Sequence, residues 1–287
     1  EKTTTTQMNS LAVDVTADFE YLGTNYDSEL TVLGETHIDA NAEVNLKINN
    51  MFEDNAVGII EASADVLYEE DGEALLDATG NAAVYLSEGW VYADLTEAAP
   101  FIVAMGQTAP EILTIKKQVG NLATALEIDP EQPVTLPFDM ATILPYMNEI
   151  ENVDATLADG NLTVVYTISL DDVADVYMKV MIDQGEIDPS QLTSEQLDTL
   201  RDQILLQLDT IIDLTEAKLT IGVNSDGFIN KLYVDIDAAL SIPSEGGHSV
   251  HDIDGSFHVD ISNINGTNTI TLPNNLDTYT EIPDETE

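Results

Sequence analysis

Residues 193–214 read TSEQLDTLRDQILLQLDTIIDL, the longest uninterrupted helical pattern in the chain. Leu197, Leu200, Ile204, Leu208 and Ile211 recur at three- and four-residue spacing, which places them on one helix face. Leu205 and Ile212 widen that stripe, and Asp198, Asp202, Gln203, Asp209 and Asp213 fall outside it. Thr193 is an N-cap candidate, with Gln196 three residues on as its capping-box partner. A stripe this wide has to be covered, and the strand-like segments on either side of it are the available cover. The helix is therefore either the core helix of a sheet or the roof of an apolar cavity.

Period-two alternation dominates the chain before this helix. Val13, Val15, Ala17, Phe19 and Tyr21 alternate with acidic residues and threonine. Glu29–Leu33 reads as a short strand. Ile38 to Ile48, Ile60 to Tyr68 and Leu76 to Leu86 read as three longer ones, with a turn at Glu69–Gly72 and another at Glu88-Gly89 before WVYADL. The presumed inner face is rich in alanine (Ala17, Ala40, Ala42, Ala62, Ala64, Ala78, Ala82), which leaves space for a closely approaching helix or for a ligand.

From Thr108 the spacing turns helical. A capping box at Thr108–Glu111 precedes a stripe of Ile112, Ile115, Val119, Leu122 and Leu126, and Asp139 then caps a short helix carrying Ile143, Leu144 and Met147. Ala158–Asn161 is a hairpin turn followed by alternating Leu162, Val164, Tyr166, Ile168 and Leu170, and Asp171 is read as the cap of a helix through Met181. After Leu214 the pattern is strands: Ala217–Val223, a turn at Asn224–Gly227, a long strand with Phe228, Leu232, Val234 and Ile236 on one side, Ile253–Ile261, and a last strand after Asn265-Gly266 ending at Leu272-Pro273.

Strands, then helices, one hairpin, helices and strands again give no strand–helix alternation of the kind that suggests a parallel sheet. The expected fold is α+β: a large curved antiparallel sheet, a half-barrel, with helices packed on its concave face. The domain reading is a polar tether at 1–10, one domain at 11–275 and a polar, frayed tail at 276–287.

The 287 residues include 54 acidic and 8 basic ones, a net charge of −46, and no cysteine. Nucleic acid and anionic head groups are repelled by such a surface. Disulfides, thiolate metal sites and cysteine nucleophiles are excluded. No run of 18 apolar residues occurs, so no helix is expected to span a membrane. The opening EKTTTTQMNS has the texture of a tether following a signal segment or lipid anchor.

The order of elements, hairpins such as VNSDGFINKLYVDIDAAL, the amphipathic helices between strand groups and the closing ITLP resemble the bacterial lipoprotein-carrier superfamily, the LolA and LppX/LprG-like proteins. The resemblance covers about Leu11 to Pro273. It implies a half-barrel with a helical lid, an apolar ligand on the concave side, and an exported, often lipid-anchored protein. The extreme acidity departs from that pattern.

Chemical motifs are sparse. His248, His251 and His258, with Asp252 and Asp254, offer imidazole and carboxylate donors for a divalent metal, but strand alternation scatters them, and loop residues are the simpler reading. Asp171-Asp172 and Asn224–Gly227 offer oxygens for calcium but read better as a cap and a turn. Trp90 and Tyr92 suit a sugar platform or strand packing. Arg201, the sole arginine, is expected to pair with Asp198 or Glu195. No nucleophile elbow, P-loop or dinucleotide fingerprint is present.

The expected function is a non-enzymatic extracytoplasmic binding protein, without cofactor or metal, that acts as a monomer and holds a lipid-like molecule between sheet and helices. Its candidate ligand-binding residues are Ala40, Ala42, Val44, Ala62, Ala64, Val84, Leu197, Leu200, Ile204, Leu208, Ile211, Phe228 and Leu232. The alternatives are a surface scaffold or adhesion module with a packed core and an acidic-surface hydrolase with a carboxylate pair in a cleft.

Overall fold

A computed structural model describes residues 9–120, 145–244 and 246–283. Among them, twelve strands form one open sheet in the order β12-β6-β5-β4-β3-β2-β1-β11-β10-β9-β8-β7. The strands are β1 (Leu11–Asp27), β2 (Val32–Asn49), β3 (Val57–Glu70), β4 (Glu73–Ser87), β5 (Trp90–Asp94), β6 (Thr114–Gln118), β7 (Asn152–Ala158), β8 (Asn161–Thr167), β9 (Ile212–Val223), β10 (Ile229–Ser244), β11 (Gly247–Ser262) and β12 (Thr280–Glu281). The helices are α1 (Ala99–Ala104), α2 (Leu170–Asp183) and α3 (Ser194–Ile211).

The topology is two antiparallel meanders, β1–β6 and β7–β11, joined where β1 pairs with β11 from Ala12↔Ser262 to Asp27↔Gly247. At 17 or 18 residues, β1 and β2 run on the order of 55–60 Å. The tight turns match their sequences: Asp71-Gly72, Glu88-Gly89 and Asp159-Gly160 each hold two consecutive positive φ angles, the geometry that continues the right-handed strand twist. At the β9–β10 turn the Asn224 side-chain oxygen accepts from the Asp226 and Phe228 backbone N–H groups.

Alternation divides the sheet into two faces. Register carries Val13, Val15, Ala17, Phe19 and Tyr21 of β1 onto the same side as Leu46 to Ile38 of β2 and Ile261 to Ile253 of β11. The same side continues through Ile60–Tyr68, Val84–Leu76 and Leu232–Leu240. The opposite side carries Asp14, Asp18, Glu20, Glu43, Glu61, Asp65, Asp235 and Asp260.

Several sequence expectations change here. The helix expected from Thr108 is strand β6 at 114–118, and its residues 121–126 lie outside the described ones. Ile112, Ile115 and Val119 fit a helical spacing by coincidence. β-branched Thr114 and Ile115 instead satisfy the open edge of β5, from Asp94↔Thr114 to Trp90↔Gln118. The short helix expected after Asp139 also lies outside the described residues, apart from the helical backbone at 145–147.

Glu29–Leu33 is not a separate strand. Asp27 Oδ1 accepts from the Glu29 and Thr31 N–H groups, which closes a turn, and Val32 opens β2. α1, with Pro100 in its first turn, was not expected. Leu170 begins α2 rather than ending a strand, and the N-cap is Ser169, not Asp171. Asp172 supplies the return bond of a capping box, which Ser-x-x-Asp spells out. Thr193 and Gln196 form the expected box on α3, and Ile212 leaves the helix to start β9.

Residues 263–273 are not a strand. Asn268, buried, donates through Nδ2 to the Leu11 and Ile48 carbonyls and exchanges backbone hydrogen bonds with the Asn49 side chain, so this segment is tied across the sheet end rather than along an edge. Farther on, Thr280 and Glu281, expected in a frayed tail, pair in parallel with β6. Leu276 and Tyr279 beside them are buried, and the Tyr279 hydroxyl donates to Asp94.

The packed core sits at this same end: Leu11, Ile48, Ala56 and Leu86, with Val13, Leu46, Met51 and Val91 against them. Among the described residues no large side chain is fully buried.

Candidate functional site

The sequence-selected residues divide between two places. Ala40, Ala42 and Val44 on β2, Ala62 and Ala64 on β3 and Val84 on β4 share the apolar face, in cross-strand rows Ala42–Ala64–Gly80 and Val44–Ala62–Ala82. Leu232 on β10 shares that face with Val259 of β11, and Phe228 lies half-buried in the turn before β10.

Leu197, Leu200, Ile204, Leu208 and Ile211 are on α3, which packs on α2, β9 and β10. β1 and β11 lie between β10 and the alanine rows of β2–β4. The helix stripe and the alanine rows are thus on different halves of the sheet. Along α3, Ile204 is buried, Leu197, Leu200 and Leu208 are half-buried, and Ile211 is exposed.

Over the alanine half, the approach is by α1. A Cβ at Gly80 would lie 2.5 Å from Phe101 Cβ, so the missing side chain is what admits the helix. Small residues here make room for a helix, one of the two uses the sequence left open.

Between these helix contacts, large apolar side chains of this face are part-exposed among the described residues. Phe19 and Phe257 are 42% exposed and Val234 and Ile236 41%. They are adjacent: Phe257 is opposite Val234, Phe19 and Ile236 are both opposite Gly255, and a Cβ at Gly255 would touch Ile236 and Phe19 at 3.5 and 3.8 Å. Toward one end of this face stands a polar row. The Tyr21 hydroxyl lies 2.7 Å from His251 Nδ1, and His251 Nε2 lies 2.9 Å from Ser249 Oγ.

The opposite face is finished by its own hydrogen bonds. Tyr233 donates to Asp260, His258 meets Asp235, and Thr79 donates to Asp65. Burial, then the bond to Asp260, pushes the Tyr233 hydroxyl up to about 12. His37 bridges Glu69 at 3.1 Å and Glu20 at 3.4 Å, and the Glu69 bond raises the imidazole above its ordinary 6.5. A hollow of about 560 Å³ opens on this face, lined by Glu43, Asn45, Glu61, Asn81, Asp94 and Glu97. Asn45 donates to Glu43, Asn81 to Glu97 and Tyr279 to Asp94, so much of its lining is already satisfied.

The candidate metal and ligand residues have other partners. His248 stacks on Tyr26, His251 faces Tyr21, and His258 meets Asp235, which spreads the three along β11 and over both faces. Among the described residues no group of three or more His, Asp or Glu could hold a metal ion.

Arg201 pairs with Asp175 and Asp171 of α2, not with Asp198 or Glu195; its fork reaches across the helix pair. Trp90 lies under Lys116, and Tyr92 meets Tyr279 edge-on, so both are packing residues. The residues that sequence reasoning missed are Phe19, Phe257 and Ile236 as the open centre; alternation named their face, but only strand order makes them neighbours.

No family model and no curated protein matches the chain. Two solved structures align with most of it: a beta-barrel-like protein of domain of unknown function DUF1849 from Brucella abortus, at 10% identity over 87% of this chain and 98% of that one with a TM-score of 0.15, and OpdL of Pseudomonas aeruginosa, at 10% identity over 86% of this chain and 55% of that one, also with a TM-score of 0.15. Scores this low carry no argument about fold or function, and the lipoprotein-carrier resemblance gains nothing from them.

Proposed function

We propose that this chain is a non-catalytic, extracytoplasmic binding protein that holds the apolar part of an amphiphilic molecule against the apolar face of its sheet. The observation that carries this reading is the open centre formed by Phe19, Phe257, Val234 and Ile236, each about two-fifths exposed. Large side chains in a finished core do not stay that wet. Covering the four would return on the order of 5–7 kcal/mol, less the cost of immobilising the ligand.

The Tyr21–His251–Ser249 row gives such a ligand's polar end hydrogen-bonding partners on the same face. A net charge of −46 disfavours an anionic head, so neutral and cationic amphiphiles suit the site best. The extracytoplasmic placement rests on the resemblance of layout alone. A packed scaffold is the weaker reading, because among the described residues no large side chain is fully buried.

The test is native mass spectrometry and fluorescence titration with a neutral monoacylglycerol, a long-chain alkylamine and a fatty acid. The first two are expected to bind, with the fatty acid weaker at low salt. Phe19→Ser with Phe257→Ser is expected to weaken binding by about tenfold or more. Absence of binding by all three probes overturns the reading.

A further inference from the structure

We propose that β7 is a self-complementary edge through which two copies of this chain join their sheets, antiparallel about Ala155. β7, Asn152–Ala158, ends the strand order, and all seven of its residues are exposed. Among the described residues nothing pairs with its outer side. Edge strands are ordinarily protected by proline, lysine, a bulge or shortness. β7 has none of these: NVDATLA contains one charge, and its pairing with β8 is regular from Asn152↔Thr167 to Ala158↔Asn161. At the sheet's other edge, β12 has only two residues.

The geometry selects the register. The two-residue turn at Asp159-Gly160 makes Ala158 and Asn161 the first hydrogen-bonded pair, so Thr156 and Asp154 also bond inward to β8. Val153, Ala155 and Leu157 therefore present their N–H and C=O groups to the free side. A twofold axis through the Ala155 pair sets Val153 against Leu157 of the second copy, twice, and Asp154 against Thr156. No like charges face each other within the strand. Leu157 is 74% exposed and Val153 41%, and both lie on the apolar face beside Leu162, so pairing covers them and carries that face unbroken into the second sheet.

Two features limit the affinity. One strand pair covers less surface than a standard interface, and Glu151 meets Asp159 of the second copy at either end, on top of the net charge of −46. The dimer is thus weak and is strengthened by salt as the Debye length falls from about 30 Å at 0.01 M to about 3 Å at 1 M. This departs from the monomer expected from sequence, and it is independent of whether the apolar face binds a ligand.

Because the chain has no cysteine, Ala155→Cys introduces the only thiol. In the bonded pair the two Cα atoms stand about 5.5 Å apart, within disulfide reach. Under mild oxidation in 1 M salt this variant is expected to give a covalent dimer, while Ser225→Cys, on an exposed turn, stays largely monomeric. Sedimentation of the unmodified chain is expected to show association that increases with salt, and Val153→Lys with Leu157→Lys to weaken it about tenfold or more with unchanged circular dichroism. Equal cross-linking of the two cysteine variants, or a monomer at every salt and concentration, overturns the proposal.

Discussion

The two faces of one sheet are completed by different means. On the polar face, side chains from neighbouring strands answer one another: Tyr233 to Asp260, His258 to Asp235, His37 to Glu69 and Glu20. On the apolar face, completion requires mass from elsewhere in the molecule. Among the described residues it arrives at the Leu11–Ile48–Leu86 end, where Asn268 closes the corner, and over Gly80, where Phe101 lies, and it leaves Phe19, Phe257, Val234 and Ile236 part-exposed. Polar satisfaction can be local, pair by pair; apolar satisfaction depends on a second layer. A sheet of this width is therefore unequal in where its stability resides.

The strongest test of that inequality is in the packed end. Ile48 is 3% exposed, and Ile48→Ala is expected to lower stability by about 2–5 kcal/mol in chemical denaturation. A value below about 1 would remove the distinction between end and centre. On the polar face, Tyr233→Phe withdraws the donor from Asp260 and is expected to reduce stability by about 1 kcal/mol.

At the open centre, Val234→Thr replaces a methyl by a hydroxyl at nearly constant shape. Since Val234 is two-fifths exposed and its new hydroxyl can reach water, the change is expected to cost less than about 1 kcal/mol; a loss well above that would mean the face is covered. The smallest effect concerns pH. The raised folded pKa of His37 means its bonds to Glu69 and Glu20 stabilise fully below its ordinary 6.5 and lose that contribution as pH rises through the folded value. His37→Gln is expected to flatten this part of the stability profile, and an imidazole NMR titration at or below 6.5 would contradict the arrangement.

Much of the sheet was legible because period-two alternation is a local signal, strong in Val13–Tyr21, Ile38–Ile48 and Leu232–Leu240, and because the Asp-Gly and Glu-Gly turns state their own geometry. The capping box at Thr193 was legible for the same reason. What was not legible depends on partners. β6 carries a spacing that fits either period, and the vacant edge of β5 decides it. The segment after Asn263 has strand-like residues, but Asn268 is worth more bonded to two carbonyls at the sheet corner.

The candidate site followed the same division. Alternation placed Ala40, Ala42, Ala62 and Ala64 on one face together, whereas only the strand order reveals that α3 rests on β9 and β10, beyond β1 and β11. Arg201 likewise has acidic neighbours on its own helix, and geometry directs it to Asp171 and Asp175.

The seam between β1 and β11 has a consequence for how the chain is made. Its first strand must wait for nearly its last, since Ala12 lies opposite Ser262. Until residue 262 has emerged, the N-terminal meander has an unpaired margin seventeen residues long, and docking it is a late, slow closure of high contact order. Synthesis of this protein is accordingly the period in which it is most exposed to aggregation, and a chain shortened ahead of β11 is left with that margin permanently unmatched.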